Sequence, residues 1–235
     1  MDGLHVITGA TSGIGWAIAS HLAERGRQVL ALGRNPSALE QLERDWPGRC
    51  RGCRIDLTDD PAIAALESRI AAGSERIRAL VHCAGVYRDG TLDTSRPDDH
   101  DLMFRTNVRA RKMLAQALLP HIAQPGGTIV NVASSAGLRS RSGIGDYAAS
   151  HYAMRALTEA WRQEVNPRGI RVFALYAGRT ATPMARQVFQ SEGRPYDPDK
   201  LLQPRDLAAV IAYVLDLPES VEVTDLSLRP AIPSY

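Results

Sequence analysis

Cysteine is scarce in this chain of 235 residues, which has three, Cys50, Cys53 and Cys83. That is too few, and an odd number, for the disulfide framework of a secreted domain. An excess of charge of one sign is also lacking. Lys and Arg number 28 against 26 Asp and Glu, for a formal net charge of +2, so there is no electrostatic case for nucleic acid or an anionic membrane surface. No apolar run approaches the roughly 18 residues of a membrane-spanning helix, and the chain enters a strand pattern by Leu4 without a leader pattern before it. The expectation is a cytoplasmic protein with a small-molecule partner, no nucleic acid and no membrane. Internal repeats, low-complexity tracts and linkers are missing too, and the length suits one α/β domain over 1–235.

Cys50-Arg51-Gly52-Cys53 has the Cys-x-x-Cys spacing of metal and redox sites. Zinc would need two further ligands, and a redox pair belongs at a helix start rather than ahead of Arg54-Ile55-Asp56. Both cysteines are therefore expected to be strand residues, with no metal site.

What is present begins with Leu4-His5-Val6-Ile7-Thr8-Gly9-Ala10-Thr11-Ser12-Gly13-Ile14-Gly15, a short apolar run leading into a glycine-punctuated turn and a helix. Glycines at 9, 13 and 15 let the backbone turn tightly and approach a pyrophosphate. The helix then aims its N-terminal amides at that anion. The spacing Gly-x3-Gly-x-Gly differs from the commonest dinucleotide fingerprint, but its place between strand and helix is the one that fingerprint occupies.

Further strands are expected at Gln28–Leu32, Cys53–Asp56, Ala79–Cys83, Thr128–Ala133, Arg171–Tyr176 and Val221–Leu228, with helices between them. Asn35 caps and Pro36 starts the helix after the second strand. A helical pattern runs from Asp98 through Asn107 to Leu119, with Arg109, Arg111 and Lys112 read as a solvated face. Another spans Tyr147–Val165, and a last one Asp206–Leu215. Residues 178–202, with Pro183, Gly193, Pro195 and Pro198, read as a long irregular substrate loop. This alternation predicts a Rossmann-type, doubly wound parallel sheet of about seven strands with helices on both faces.

The end of the second strand bears on the dinucleotide. An acidic side chain there binds the ribose hydroxyls of NAD(H). Here the strand ends in Gly33-Arg34, and a guanidinium beside the ribose favours the 2′-phosphate of NADP(H).

Taken together, Thr8-Gly9-x-x-x-Gly13-Ile14-Gly15, Asp56-Leu57, Asn107, Ser134 and Tyr147, the last two thirteen residues apart, resemble the short-chain dehydrogenase/reductase family over essentially the whole chain. The resemblance implies hydride transfer between NADP(H) and a carbonyl or alcohol substrate, as in a ketoreductase or alcohol dehydrogenase. It implies that Tyr147 is the proton donor and acceptor, Ser134 the donor to the substrate oxygen and Asn107 part of the catalytic set. Cofactor contacts carried over are Gly9, Thr11, Ser12, Gly13, Ile14, Gly15, Asp56, Leu57, Ala84, Gly85, Tyr147, Gly178 and Thr182. A homodimer or homotetramer, built partly on the helices at 107–122 and 147–165, is also implied.

The family places a lysine four residues after the tyrosine, and here that residue is His151. At roughly 4 Å and an effective dielectric near 20, a fixed cation favours a phenolate by about 4 kcal/mol before desolvation. A neutral imidazole offers no such charge. His151, placed with the catalytic and cofactor-binding residues, then has three readings: it replaces the lysine when protonated, it relays protons, or activity has decayed. Arg179 is a candidate substitute cation. The family's Asn-Asn-Ala-Gly stands here as His82-Cys83-Ala84-Gly85, and its Pro-Gly as Ala177-Gly178. The alternative function is a non-catalytic NADP-binding sensor or scaffold. A hydrolase built on Ser134 and His151 lacks the Gly-x-Ser-x-Gly elbow.

Overall fold

Strands that follow one another in parallel need crossover connections, and the helical stretches of this chain supply them. The protein is described here from a computed structural model covering residues 3–232. The ends of the expected 1–235 domain, residues 1–2 and 233–235, lie outside the described residues. The elements in order are β1 (Leu4–Thr8), α1 (Gly13–Glu24), β2 (Gln28–Gly33), α2 (Pro36–Asp45), β3 (Cys50–Arg54), α3 (Asp60–Ala71), β4 (Ile77–His82), α4 (Pro97–Phe104), α5 (Ala110–Leu118), β5 (Thr128–Ser134), α6 (Gly145–Val165), β6 (Arg171–Ala177), α7 (Pro183–Ser191), α8 (Pro204–Asp216) and β7 (Asp225–Leu228).

The seven strands form one parallel sheet in the order β3-β2-β1-β4-β5-β6-β7. Alternate strand residues feed two cores, because successive side chains point to opposite faces. Ile7, Val29, Ala31, Val81, Val130 and Phe173 pack under α1, α2 and α8. Val6, Leu30, Leu80, Ile129 and Val172 pack under α3, α5 and α6. No helix among the described residues is long and apolar enough to cross a membrane.

Four elements differ from expectation. The third strand begins at Cys50 rather than Cys53. Cys50 and Cys53 are three apart in it, so they face opposite layers and join different cores. They cannot converge on one ion, and among the described residues no group of three His, Cys, Asp or Glu is placed to hold a metal. The helix expected from Asp98 to Leu119 is interrupted by a π-helical turn at Arg105–Arg109, around Asn107. The stretch 178–202 is not irregular throughout, since Thr182 Oγ1 accepts from the Ala185 N–H at 3.1 Å and caps α7, with Pro183 in its first turn.

The last strand pairs only from Asp225. Residues ahead of it are committed elsewhere: the Val221 carbonyl accepts from Arg171 at 3.0 Å, and the Glu222 carboxylate accepts from the Val172 N–H at 2.8 Å.

Candidate functional site

In open α/β sheets a crevice forms beyond the carboxyl ends of the strands, where the strand order reverses. Here that point lies between β1 and β4, whose exits are tied together by Thr8 Oγ1, which accepts from the Cys83 and Ala84 N–H groups at 3.0 Å each. A cavity of about 350 Å³ opens there. It brings together Gly9, Thr11, Ser12, Gly13, Ile14, Gly15, Arg34, Asp56, Leu57, Ala84, Gly85, Tyr147, His151 and Thr182. Asn107, Ser134 and Gly178 are not in its wall. Gly178 is turned the other way: its N–H donates to the Leu228 carbonyl at 2.7 Å, and a Cβ on it would meet that oxygen at 3.0 Å.

The glycines of the first turn serve close packing at the cavity floor. A Cβ at Gly15 would lie 2.4 Å from the Gly9 carbonyl oxygen, and one at Gly9, whose φ is +64°, would lie 2.8 Å from the Ala84 nitrogen. The following helix starts without a side-chain cap bond from Ser12 and without an acidic residue in its first turn. Its first backbone bond is from the Trp16 N–H to the Ser12 carbonyl. The leading amides of α1 therefore suit an anion at this wall.

At the end of β2, Gly33 is crowded. A Cβ there would come within 2.4 Å of Thr11 Cγ2, so no carboxylate side chain fits at that strand end while Thr11 holds its place. Arg34 is exposed on the same wall and makes no ion pair among the described residues. Asp56 accepts from the Thr58 N–H at 2.9 Å and the Thr58 hydroxyl at 2.8 Å. Those bonds, the backbone one foremost, hold its carboxyl below the usual range.

Tyr147 lies in the first turns of α6, packed edge-on against Tyr87 with ring centroids 5.1 Å apart and against His151 at 4.6 Å. Burial raises its phenol above the ordinary value, while a hydrogen bond with the Ser134 side chain and the Arg111 charge act in the opposite direction. The phenol therefore stays protonated at neutral pH, the state of a proton donor. Ser134 ends β5, and its hydroxyl also accepts from the Ala136 N–H at 3.1 Å.

Asn107 is wholly buried and has both ends of its amide engaged. Its oxygen accepts from the Val86 N–H at 2.8 Å, and its nitrogen donates to the Val86 carbonyl at 3.0 Å and to Ser150 Oγ at 3.1 Å. Ser150 in turn donates to the Tyr147 carbonyl at 2.7 Å. The side chain joins the loop after β4 to α6, so the structure gives it a positioning place rather than one among the groups facing the cavity.

His151 is 4% exposed, and its Nδ1 accepts from the Ser134 N–H at 3.3 Å. That bond leaves the proton on Nε2. Burial first, and then the Arg111 charge, push the imidazole down to about 3. Burial and the Arg111 charge thus favour a neutral His151 at physiological pH, which speaks against the reading in which it replaces the lysine as a cation.

Arg179 does not replace it either. Its Nη2 donates to the Glu192 carboxylate at 2.7 and 3.0 Å, and its guanidinium lies 4.5 Å from the centre of the Phe189 ring. Arg141 and Arg194 converge on the same carboxylate, which fastens the end of α7 to the loops after β5 and β6.

The cation in the wall with Tyr147 and His151 is Arg111, expected on a solvated face with Arg109 and Lys112. Those two are exposed, but Arg111 is 3% exposed and lines the cavity wall. Its guanidinium donates to the Ala84 carbonyl at 2.9 and 3.3 Å and to the Val132 carbonyl at 3.0 Å. A spacing signal for it exists: residues 111, 114, 115 and 118 follow i, i+3, i+4, i+7, and the last three are the apolar stripe of α5.

A family model described as short chain dehydrogenase matches residues 4–193. An uncharacterized short-chain type dehydrogenase/reductase of Sinorhizobium fredii is 34% identical over 96% of this chain and 90% of its own. The human dehydrogenase/reductase SDR family member 11 is 29% identical over 97% of this chain and 94% of its own. Among solved structures, a short chain dehydrogenase of Escherichia coli CFT073 complexed with NADPH superposes with a TM-score of 0.87 at 28% identity, covering 96% of each chain.

Proposed function

Because the chain belongs to the short-chain dehydrogenase/reductase family of oxidoreductases, we propose that it transfers a hydride between NADP(H) and a carbonyl or alcohol substrate, with Tyr147 moving the proton. The observation that carries this reading is one continuous cavity, which runs from the uncapped start of α1 to the Tyr147 ring. One end suits a pyrophosphate and the other a reacting carbonyl. The NADPH held by the Escherichia coli structure supports the choice of cofactor. Arg34, with Gly33 excluding a carboxylate, supports NADP(H) over NAD(H).

When bound, the nicotinamide supplies or accepts the hydride. In reduction the Tyr147 hydroxyl gives its proton to the substrate oxygen as charge builds there, and the Ser134 hydroxyl, bonded to that phenol, steadies the oxygen. In oxidation the proton returns by the same path. The leading amides of α1 would hold the pyrophosphate, and Asp56 and Leu57 would flank the adenine. Thr182, at the head of α7 with its side chain beside Gly13, would reach the bound cofactor from the opposite wall. Substrate enters beneath the segments 86–97 and 178–202. The His151 Nε2–H is a donor for a ribose hydroxyl.

The test combines calorimetric titration of NADPH and NADH with NADPH oxidation over ketones, aldehydes and quinones. Tyr147→Phe is expected to lower turnover by about 10²–10⁴-fold and to leave the NADPH dissociation constant within about twofold. Arg34→Ala should weaken NADPH binding by roughly 10- to 100-fold and leave NADH unchanged, as the loss of a charge-assisted phosphate contact does. Tight NADPH binding by a folded wild-type protein that reduces no compound would instead establish a cofactor-binding sensor.

A further inference from the structure

We infer that Arg111 supplies, from α5, the fixed positive charge at the Tyr147 hydroxyl that the family's lysine supplies from α6, which makes it a positioning residue for the proton-transfer step. The inference rests on the reading of Tyr147 given above. A guanidinium stays charged at any pH the protein meets, and this one is buried without a carboxylate partner among the described residues. Burying a charge uncompensated costs several kcal/mol, so the site holds it at a cost that folding alone does not explain. The three bonds to Ala84 and Val132 fix its head at the exits of β4 and β5, in the wall it shares with Tyr147 and His151. Gly85 lies beside both groups: a Cβ there would be in ordinary contact with Arg111 Nη2 at 3.5 Å and tight against the Asn107 amide oxygen at 3.3 Å.

Four groups bear on Tyr147 from the elements around it: the Ser134 hydroxyl on β5 and the Arg111 charge on α5 act on its phenol, and the rings of Tyr87, in the loop after β4, and His151, on α6, pack against its own. Only Arg111 is charged. Asp146, beside Tyr147 in α6, is turned away to Ser95 and His100. The chain's two lysines, Lys112 and Lys200, are both exposed and neither lines the cavity. The histidine at 151 then follows: a lysine there would place a second cation in the buried space Arg111 already holds, and like charges in one site oppose each other's ionisation. The residues at 111 and 151 form a swap, with the charge moved from one helix to the other.

The test needs no turnover. Tyr147 is replaced by 3,5-difluorotyrosine, whose phenol ionises well below that of tyrosine, and its titration is followed by ¹⁹F NMR in the cofactor-free protein. Arg111→Met should raise this pKa by about one to two units. Arg111→Lys should leave it within about half a unit, and His151→Lys added to Arg111→Met should bring it back down. Arg111→Gln, which keeps donors for the two carbonyls, gives the same upward shift if the Met variant does not fold. A phenol that titrates unchanged in both neutral variants overturns the inference. Because the readout is independent of substrate, a protein that reduces nothing but shows these shifts would sink the catalytic reading and leave the charge assignment standing.

Discussion

Arg171 at the amino end of the sheet and Arg111 at its carboxyl end are both buried, 8% and 3% exposed, and both spend their N–H groups on backbone carbonyls. Arg171 reaches Leu215, Leu217, Pro218 and Val221, and so fastens the link between α8 and β7 to the start of β6. Glu219 and Glu222 lie close enough to favour its charge. Around Arg111 the favouring groups are instead the Cys83 thiol and the Tyr147 phenol, both neutral at physiological pH. Similar hydrogen bonds therefore serve different ends. At Arg171, carboxylates offset burial and the neighbouring Arg78 charge in part, and the residue is a tie; at Arg111 no carboxylate pairs with the guanidinium among the described residues, and the charge acts on whatever titrates beside it.

The largest expected effect compares buried histidines at the two ends. His5, at the amino end, is pushed down to about 4, and His82 and His151, at the carboxyl end, to about 3, with burial the main cause in each. The unfolded chain takes up protons near the ordinary value of 6.5, and the folded protein does not. Stability is then full above about pH 6.5 and falls as pH drops toward about 3, by up to about 1.4 kcal/mol per unit for each histidine. Urea midpoints measured from pH 7.5 to 4.5 should show this, and His82→Leu should remove roughly a third of the slope. Midpoints that stay level down to pH 5 would mean these imidazoles charge without unfolding.

Next in size is Arg171→Met, expected to destabilise by about 3 kcal/mol because buried carbonyls lose their donors. It should leave the titration of the phenol at 147 where it was, and a shift like that of Arg111→Met would erase the distinction between the two ends. The smallest effect is local. Thr182→Ala should cost about 1 kcal/mol by removing the cap of α7, seen as a small fall in the urea midpoint with the faster amide exchange concentrated within Pro183–Ser191.

Much of this architecture is legible in the sequence because it rests on local patterns. The glycine turn, the alternation of strands and helices, and the spacing of Ser134 and Tyr147 each need only a few neighbouring residues to be read. The third strand is misplaced by three residues because Cys-Arg-Gly-Cys-Arg has little apolar periodicity, and its register comes from pairing with β2. The π-helical turn leaves no mark in composition, since its cause lies in the contacts of Asn107 with Val86 and Ser150. The cap at Thr182 was readable from Thr182-Pro183 but masked by the glycine and prolines that follow. Arg111 was hidden by its own charge, which reads as solvent-facing unless the i, i+3, i+4, i+7 spacing is weighed above it.

Thr11 and Gly33 carry a consequence for how this chain could change over generations. An acid at 33 is the substitution that would turn the pocket toward an unphosphorylated ribose, yet the Thr11 methyl stands 2.4 Å from where its Cβ must go. Shortening residue 11 therefore has to come first, and by itself it gains nothing at the ribose. On the proposed NADP(H) reading, cofactor preference is guarded by the order in which mutations must arrive, a ratchet set by one methyl group.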